Sequence, residues 1–176
     1  MKKGQVAAQV FMFLLAMIIF SMVVLYGYRA ISKIGQTRNE AVLIEFKDRL
    51  VSQAKQVTLA YKDVKRVQLS LPSEFDEVCF VDIAQLVEPG NIDRYRQLGD
   101  EYPIIYDSVE SGVEANVFTI PQSPISINLP NIQIDEVQGM PATEGGSWFC
   151  MKNQGGIIVL RMEGIGNKVK ISPWIE

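Results

Sequence analysis

Residues Val6 to Tyr28 form one apolar run, broken only by Gln9, Ser21 and Gly27, directly behind the basic tetrapeptide Met1-Lys2-Lys3-Gly4. As a helix rising 1.5 Å per residue this run would be roughly 35 Å long, enough to cross a hydrocarbon core of about 30 Å. None of the three interruptions is charged, so they cost little in lipid beside the gain from residues such as Phe11, Phe13, Leu15, Ile18 and Phe20. The alternative is a buried core helix, but such helices usually keep a polar stripe and are shorter. The run therefore predicts a membrane-spanning helix over residues 5–30.

Three fates separate chains that begin this way. An ordinary secretory signal has an apolar stretch of about 7 to 15 residues followed by small residues at a cleavage site. Here the run is longer and ends in Tyr26-Gly27-Tyr28-Arg29, with Tyr28-Arg29-Ala30 the nearest approach to such a site. A permanent anchor is the second fate. The third follows from residue order: the basic pair and glycine precede the apolar run, so a cut after Gly4 would remove only the charges and leave the helix intact.

The segment KKGQVAAQV feeding into FMFLLAMIIF resembles the class III signal peptide of type IV pilins and archaeal pilin-like proteins. The resemblance covers about the first 30 residues. It implies that a membrane aspartyl peptidase, the prepilin-type peptidase, cuts on the cytoplasmic side between Gly4 and Gln5, leaving residues 1–4 as leader. It also implies that the freed helix packs beside those of neighbouring subunits in a homo- or hetero-oligomer. Major pilins usually carry a glutamate five residues into the mature chain, paired with a neighbour's new amino terminus. This chain has Gln9 there. An amide accepts a hydrogen bond but supplies no charge to offset a buried ammonium, which favours a minor pilin or a simple anchored protein over a major filament subunit.

The positive-inside count hardly orients the span, because Lys2 and Lys3 on one side face Arg29, Lys33 and Arg38 on the other. The family resemblance places the amino terminus in the cytoplasm and the body outside the cell. Cys79 and Cys150, the chain's two cysteines, agree with that placement if they pair, since disulfides persist in oxidising compartments. Pairing would close a loop of about 70 residues and stabilise the fold by roughly 4 kcal/mol. Two buried thiols are the alternative, since Val78-Cys79-Phe80-Val81 and Trp148-Phe149-Cys150-Met151 both read as core strands.

Beyond the anchor, a polar neck over residues 31–39 contains Gly35, and the helix is expected to bend or fray there before resuming. Over residues 40–62 the positions Phe46, Leu50, Ala54, Val57 and Tyr61 recur at steps of three or four, with Leu43 leading into the row. Thr37 or Asn39 is positioned to cap this helix, and Glu45 and Arg49 have the spacing of an exposed ion pair. The row predicts a helix packed on its own domain, which is compatible with a role as a stalk.

From Arg66 the period becomes two: Val67, Leu69 and Leu71 alternate with polar residues until Pro72. Further strands are expected at Val78–Ile83, Asn116–Ile120, Ile125–Leu129, Ile132–Ile134, Trp148–Lys152, Gly156–Met162 and Val169–Ser172. The turns Asn153-Gln154-Gly155-Gly156 and Gly164-Ile165-Gly166-Asn167 would join the last three into an antiparallel meander burying Phe149, Ile158, Leu160, Val169 and Ile171. Short helices or turns are expected within Pro89–Tyr102 and Asp107–Glu114. The fold class is thus α+β and membrane-anchored: a long amino-terminal helix, transmembrane and then amphipathic, followed by a mainly antiparallel β head over residues 63–176.

Chemistry is sparse. The chain has no histidine, which removes the commonest general base and metal ligand. Gly164 and Gly166 lack the lysine–serine or lysine–threonine of a phosphate loop, so a hairpin turn is the reading. The acidic pairs Asp76-Glu77, Asp100-Glu101 and Asp135-Glu136 match no EF-hand spacing and read as solvated charges. A net charge of −3 argues against nucleic-acid binding. No cofactor, metal site or catalytic residue is expected. Asp82, Asp93 and Asp107 are the carboxylates an anchored enzyme would have available, and nothing in the sequence places two of them together. The functional expectation is a membrane-anchored structural or interaction protein, a minor subunit of a pilus-like assembly, with an uncleaved, nonfilamentous accessory protein as the alternative.

Overall fold

No proline occurs before Pro72, and the first helix, α1, runs Lys3–Thr58. The computed structural model describes residues 3–134 and 146–174, with the side chains of residues 3–10, 32–38 and 89 outside that description. The chain divides into two compact units, Met1–Ala41 and Val42–Glu176. The division falls just after the expected neck. The helix does not fray there, since the backbone is helical through residues 31–39, Gly35 included, so Thr37 and Asn39 lie within α1 and not at a helix start.

In the second unit the helical row behaves as its spacing predicts. Leu43, Phe46, Leu50, Ala54 and Val57 are all buried, and Glu45 and Arg49 pair on the exposed side at 2.8 Å. Tyr61 departs from the row and is exposed. The reason is local: the Ala60 N–H reaches back to Val57 O at 3.0 Å, Lys62 takes a left-handed φ of 63°, and the helix is over at Thr58.

Two sheets follow. The first has the order β1 (Val64–Ser70), β6 (Ile157–Gly164), β7 (Val169–Pro173), β4 (Ile132–Ile134). The second has the order β3 (Val117–Ile120), β2 (Glu77–Val81), β5 (Trp148–Lys152). All described pairings are antiparallel except β4 with β7. Period-two alternation explains the inner faces. Val67 and Leu69, then Ile158, Leu160 and Met162, then Val169 and Ile171, join the α1 row in one core, together with Val78, Phe80 and Phe149 of the second sheet.

The second sheet is buried on both faces. Its other side, with Cys79, Val81, Phe118 and Trp148, packs under Leu86, Leu98, Ile105 and Val109. These come from three short helices, α2 (Ile83–Leu86), α3 (Ile92–Glu101) and α4 (Pro103–Glu110), with a 3-10 turn at Pro89–Asn91. The helix expected within Asp107–Glu114 starts earlier, because Pro103 occupies its first turn, where a missing N–H costs nothing.

Two expected strands and one expected pairing change. Val78–Ile83 ends at Val81 because Asp82 caps α2. Ile125–Leu129 is no strand and keeps only a bridge between Ile127 and Val117. The Asn116 side chain engages both backbone groups of Leu129, and Ser123 Oγ takes the Ile125 N–H, so local side chains replace a ladder. The meander of the last three strands also fails. β6 and β7 pair, but β5 pairs with β2 in the other sheet, so Asn153–Gly156 carries the chain between sheets. Gly155 and Gly156 have φ of 66° and 83° there.

Gly164 ends β6 against the carboxy-terminal turn of α1. The Lys62 N–H donates to its carbonyl at 2.7 Å, and its own N–H donates to Asp63 O at 3.1 Å. A Cβ at this position would run into the carbonyl oxygens of Val57 and Ala60. Both obstacles are backbone, so relief requires the helix end to move. Gly164→Ala is expected to lower the unfolding free energy by about 3 kcal/mol, read by denaturant titration, whereas Gly155→Leu, which meets nothing at Cβ, would cost only the strain of a positive φ.

Candidate functional site

Phe11–Ile31 is a 21-residue stretch of α1 with mean hydropathy 2.3, none of it buried by the rest of the chain. Phe11, Phe13, Phe20, Leu25, Tyr26, Tyr28 and Ile31 are each at least 65% exposed. A soluble core helix would be covered, and this one is not. The Ser21 hydroxyl, in the middle of the stretch, donates to Met17 O at 2.8 Å, within its own helix. Gly4, Gln5 and Gln9 lie on α1, but their side chains, with those of Lys33 and Arg38, are outside the described residues. Met1 and Lys2, the pair Asp135-Glu136 and Pro141 lie outside them altogether.

Cys79 and Cys150 face each other in register on β2 and β5 and form a disulfide, with Cα atoms 4.0 Å apart. Period two turns both toward the helix-covered core, beside Trp148, whose ring meets the edge of Tyr102 at 5.7 Å. Tyr102 in turn donates its hydroxyl to Glu77 Oε2 at 3.1 Å, tying α4 back to β2. With the cysteines 71 positions apart in sequence, replacing both by Ala is expected to lower the unfolding free energy by about 4 kcal/mol, seen as an earlier denaturant midpoint.

The carboxylates singled out in the sequence are dispersed. Asp93 is on α3 and fully exposed, 3.9 Å from Arg96, and Asp107 is exposed on α4. Asp82 is different, being 5% exposed at the end of β2. Its carboxylate accepts the Gln85 N–H at 3.2 Å and caps α2. Burial pushes its carboxyl above the usual range and Glu88 adds to that, while the Gln85 and Ala84 N–H groups and Lys168 pull it back. Gly164 to Asn167 form the expected turn, closed by the Ile165 N–H on Lys168 O at 3.1 Å. Among the described residues no group of three or more His, Cys, Asp and Glu could hold a metal ion.

Asp82 also lines an open cavity of about 490 Å³ with Glu114, Asn128, Leu129, Asn131 and Lys168. Sequence reasoning named Asp82 without its surroundings. The available signal was Asp82-Ile83-Ala84-Gln85, an acid followed three residues later by glutamine, which is the pattern of a helix start.

The raised pKa of Asp82 fixes a sign. A carboxyl whose folded pKa exceeds its unfolded value binds protons more readily in the folded state, so its effect on stability becomes less favourable as pH rises through that interval. Asp82→Asn keeps a good capping group and removes the buried charge. The variant is expected to melt higher than the wild type at pH 7, with the gap closing toward pH 4 and below, as followed by thermal melts across that range.

No protein-family model matches the chain, and neither the curated proteins nor the solved structures include a significant match.

Proposed function

We propose that the protein is a membrane-anchored structural or interaction subunit, with α1 crossing the bilayer once and the α+β head displayed outside the cell. The observation that carries this reading is the contrast along one helix. Its later turns bury Leu43, Phe46 and Leu50 in the head, while Phe11–Ile31 exposes every large apolar side chain it has. An apolar surface of that extent needs an apolar environment. Lipid and neighbouring helices both supply one. The Cys79–Cys150 disulfide supports an oxidising compartment for the head.

Within this reading, KKGQ is a prepilin-type cleavage site, Gly4 the residue before the cut and Gln5 the new amino terminus. The processed helix joins a pilus-like assembly as a minor subunit of archaeal type, packed against identical or different neighbours through its apolar surface. The protein carries out no catalysis. Gln9 favours a second reading, because it cannot neutralise a neighbour's terminal ammonium: an uncleaved single-span envelope protein with an accessory role.

Intact mass and amino-terminal sequencing of protein isolated from its native membrane decide between them. The expected start is Gln5, lost when Gly4 is replaced by Val. A start at Met1 or Lys2, unchanged by that substitution, establishes the permanent anchor instead, and a start near Ile31 makes the head a secreted protein.

A further inference from the structure

The cavity beside Asp82 has two features that a solvated surface cleft lacks: charges of opposite sign on separate supports, and walls fixed by buried hydrogen bonds. Asp82 immediately follows β2 of the second sheet, and Lys168 immediately precedes β7 of the first. Lys168 attracts the Asp82 carboxylate without a direct ion pair, and among the described residues the hydrogen-bond partners of this nearly buried carboxylate are backbone N–H groups. Glu114 adds a second, exposed carboxylate.

One wall of the cavity is preformed. The buried Asn116 amide donates to Leu129 O at 2.8 Å and accepts the Leu129 N–H at 2.7 Å. Two residues on, Asn131 holds a left-handed φ of 55°, and its carbonyl receives the Val169 N–H at 3.0 Å. Asn tolerates that conformation, and Asn128 and Asn131 both line the cavity. A volume of about 490 Å³ lies within the range of small-molecule sites. Charged groups of both signs therefore line one cavity without being joined in an ion pair, and each can pair with the opposite charge of a ligand.

We propose that this cavity binds a small zwitterion, a free amino acid or short peptide, with its ammonium on Asp82 and Glu114 and its carboxylate on Lys168. Asn128 and Asn131 supply the donors and acceptors between the charged ends. The site belongs to the head alone and does not depend on how the amino terminus is processed.

Calorimetric titration of the full chain in detergent tests this with alanine and alanyl-alanine, and with the N-acetylated and carboxy-amidated forms of the dipeptide. One of the free zwitterions is expected to bind saturably, and which one does so distinguishes amino acid from peptide. Capping either end should weaken binding about tenfold or more. Asp82→Asn should abolish the penalty for N-acetylation and Lys168→Gln the penalty for amidation, each leaving the other penalty in place. The proposal is overturned if neither zwitterion binds up to about 10 mM, or if capped and free dipeptides bind alike.

Discussion

The head is organised around the buried face of α1 from Leu43 to Val57. Both sheets turn their inner faces to that row, so Phe46 and Leu50 belong to the same apolar core as Leu160 in one sheet and Phe80 in the other. Burial of each large side chain in such a row contributes about 2 kcal/mol. The pairings within each sheet hold strands to one another, but among these strands no described ladder joins β6 to β2. Side-chain packing on the helix and between the inner faces unites what the backbone hydrogen bonds leave separate. Gly164 belongs to the same arrangement, since its bare backbone lets β6 meet the last helical turn.

The second sheet differs from the first because it has two covered faces. β2 alternates Val78 and Phe80 toward the helix α1 with Cys79 and Val81 toward the three short helices. A strand buried on both sides reads as a continuous apolar run, and Val78-Cys79-Phe80-Val81 is one. Where this run ends, polarity returns abruptly: Asp82 is buried, its N–H donates to Ser147 O at 2.7 Å, and its side chain starts α2. Structural capping and the proposed ligand contact thus fall on one residue.

Local patterns carried much of this fold into the sequence. The apolar run, the 3.6-residue row of α1, the alternation in β1 and the glycine turns each depend on neighbours within a few positions. What the sequence left open was long-range. The register that sets Cys79 opposite Cys150 and the parallel pairing of β4 with β7 are decided between segments far apart in the chain. The residues Ile125 to Leu129 look like a strand by composition, yet the competing partner, Asn116, is an isolated asparagine whose reach across 13 residues leaves no periodic mark. The Asp82 cavity was illegible for the same reason, since Asp82, Asn131 and Lys168 converge only after both sheets form. The helix layer was half legible, through the acid–glutamine spacing at Asp82 and the proline that opens α4.

The cross-strand disulfide divides the head topologically. Everything between Cys79 and Cys150, including the short helices, β3 and β4, lies within one covalent ring, while α1, β1, β6 and β7 lie outside it. A single backbone cut inside that ring opens a loop and releases nothing. A cut in β6 or β7 severs the carboxy-terminal strands from the ring. For a domain exposed to proteases, the segment that holds the short helices is thereby the one whose nicking leaves every piece attached to α1.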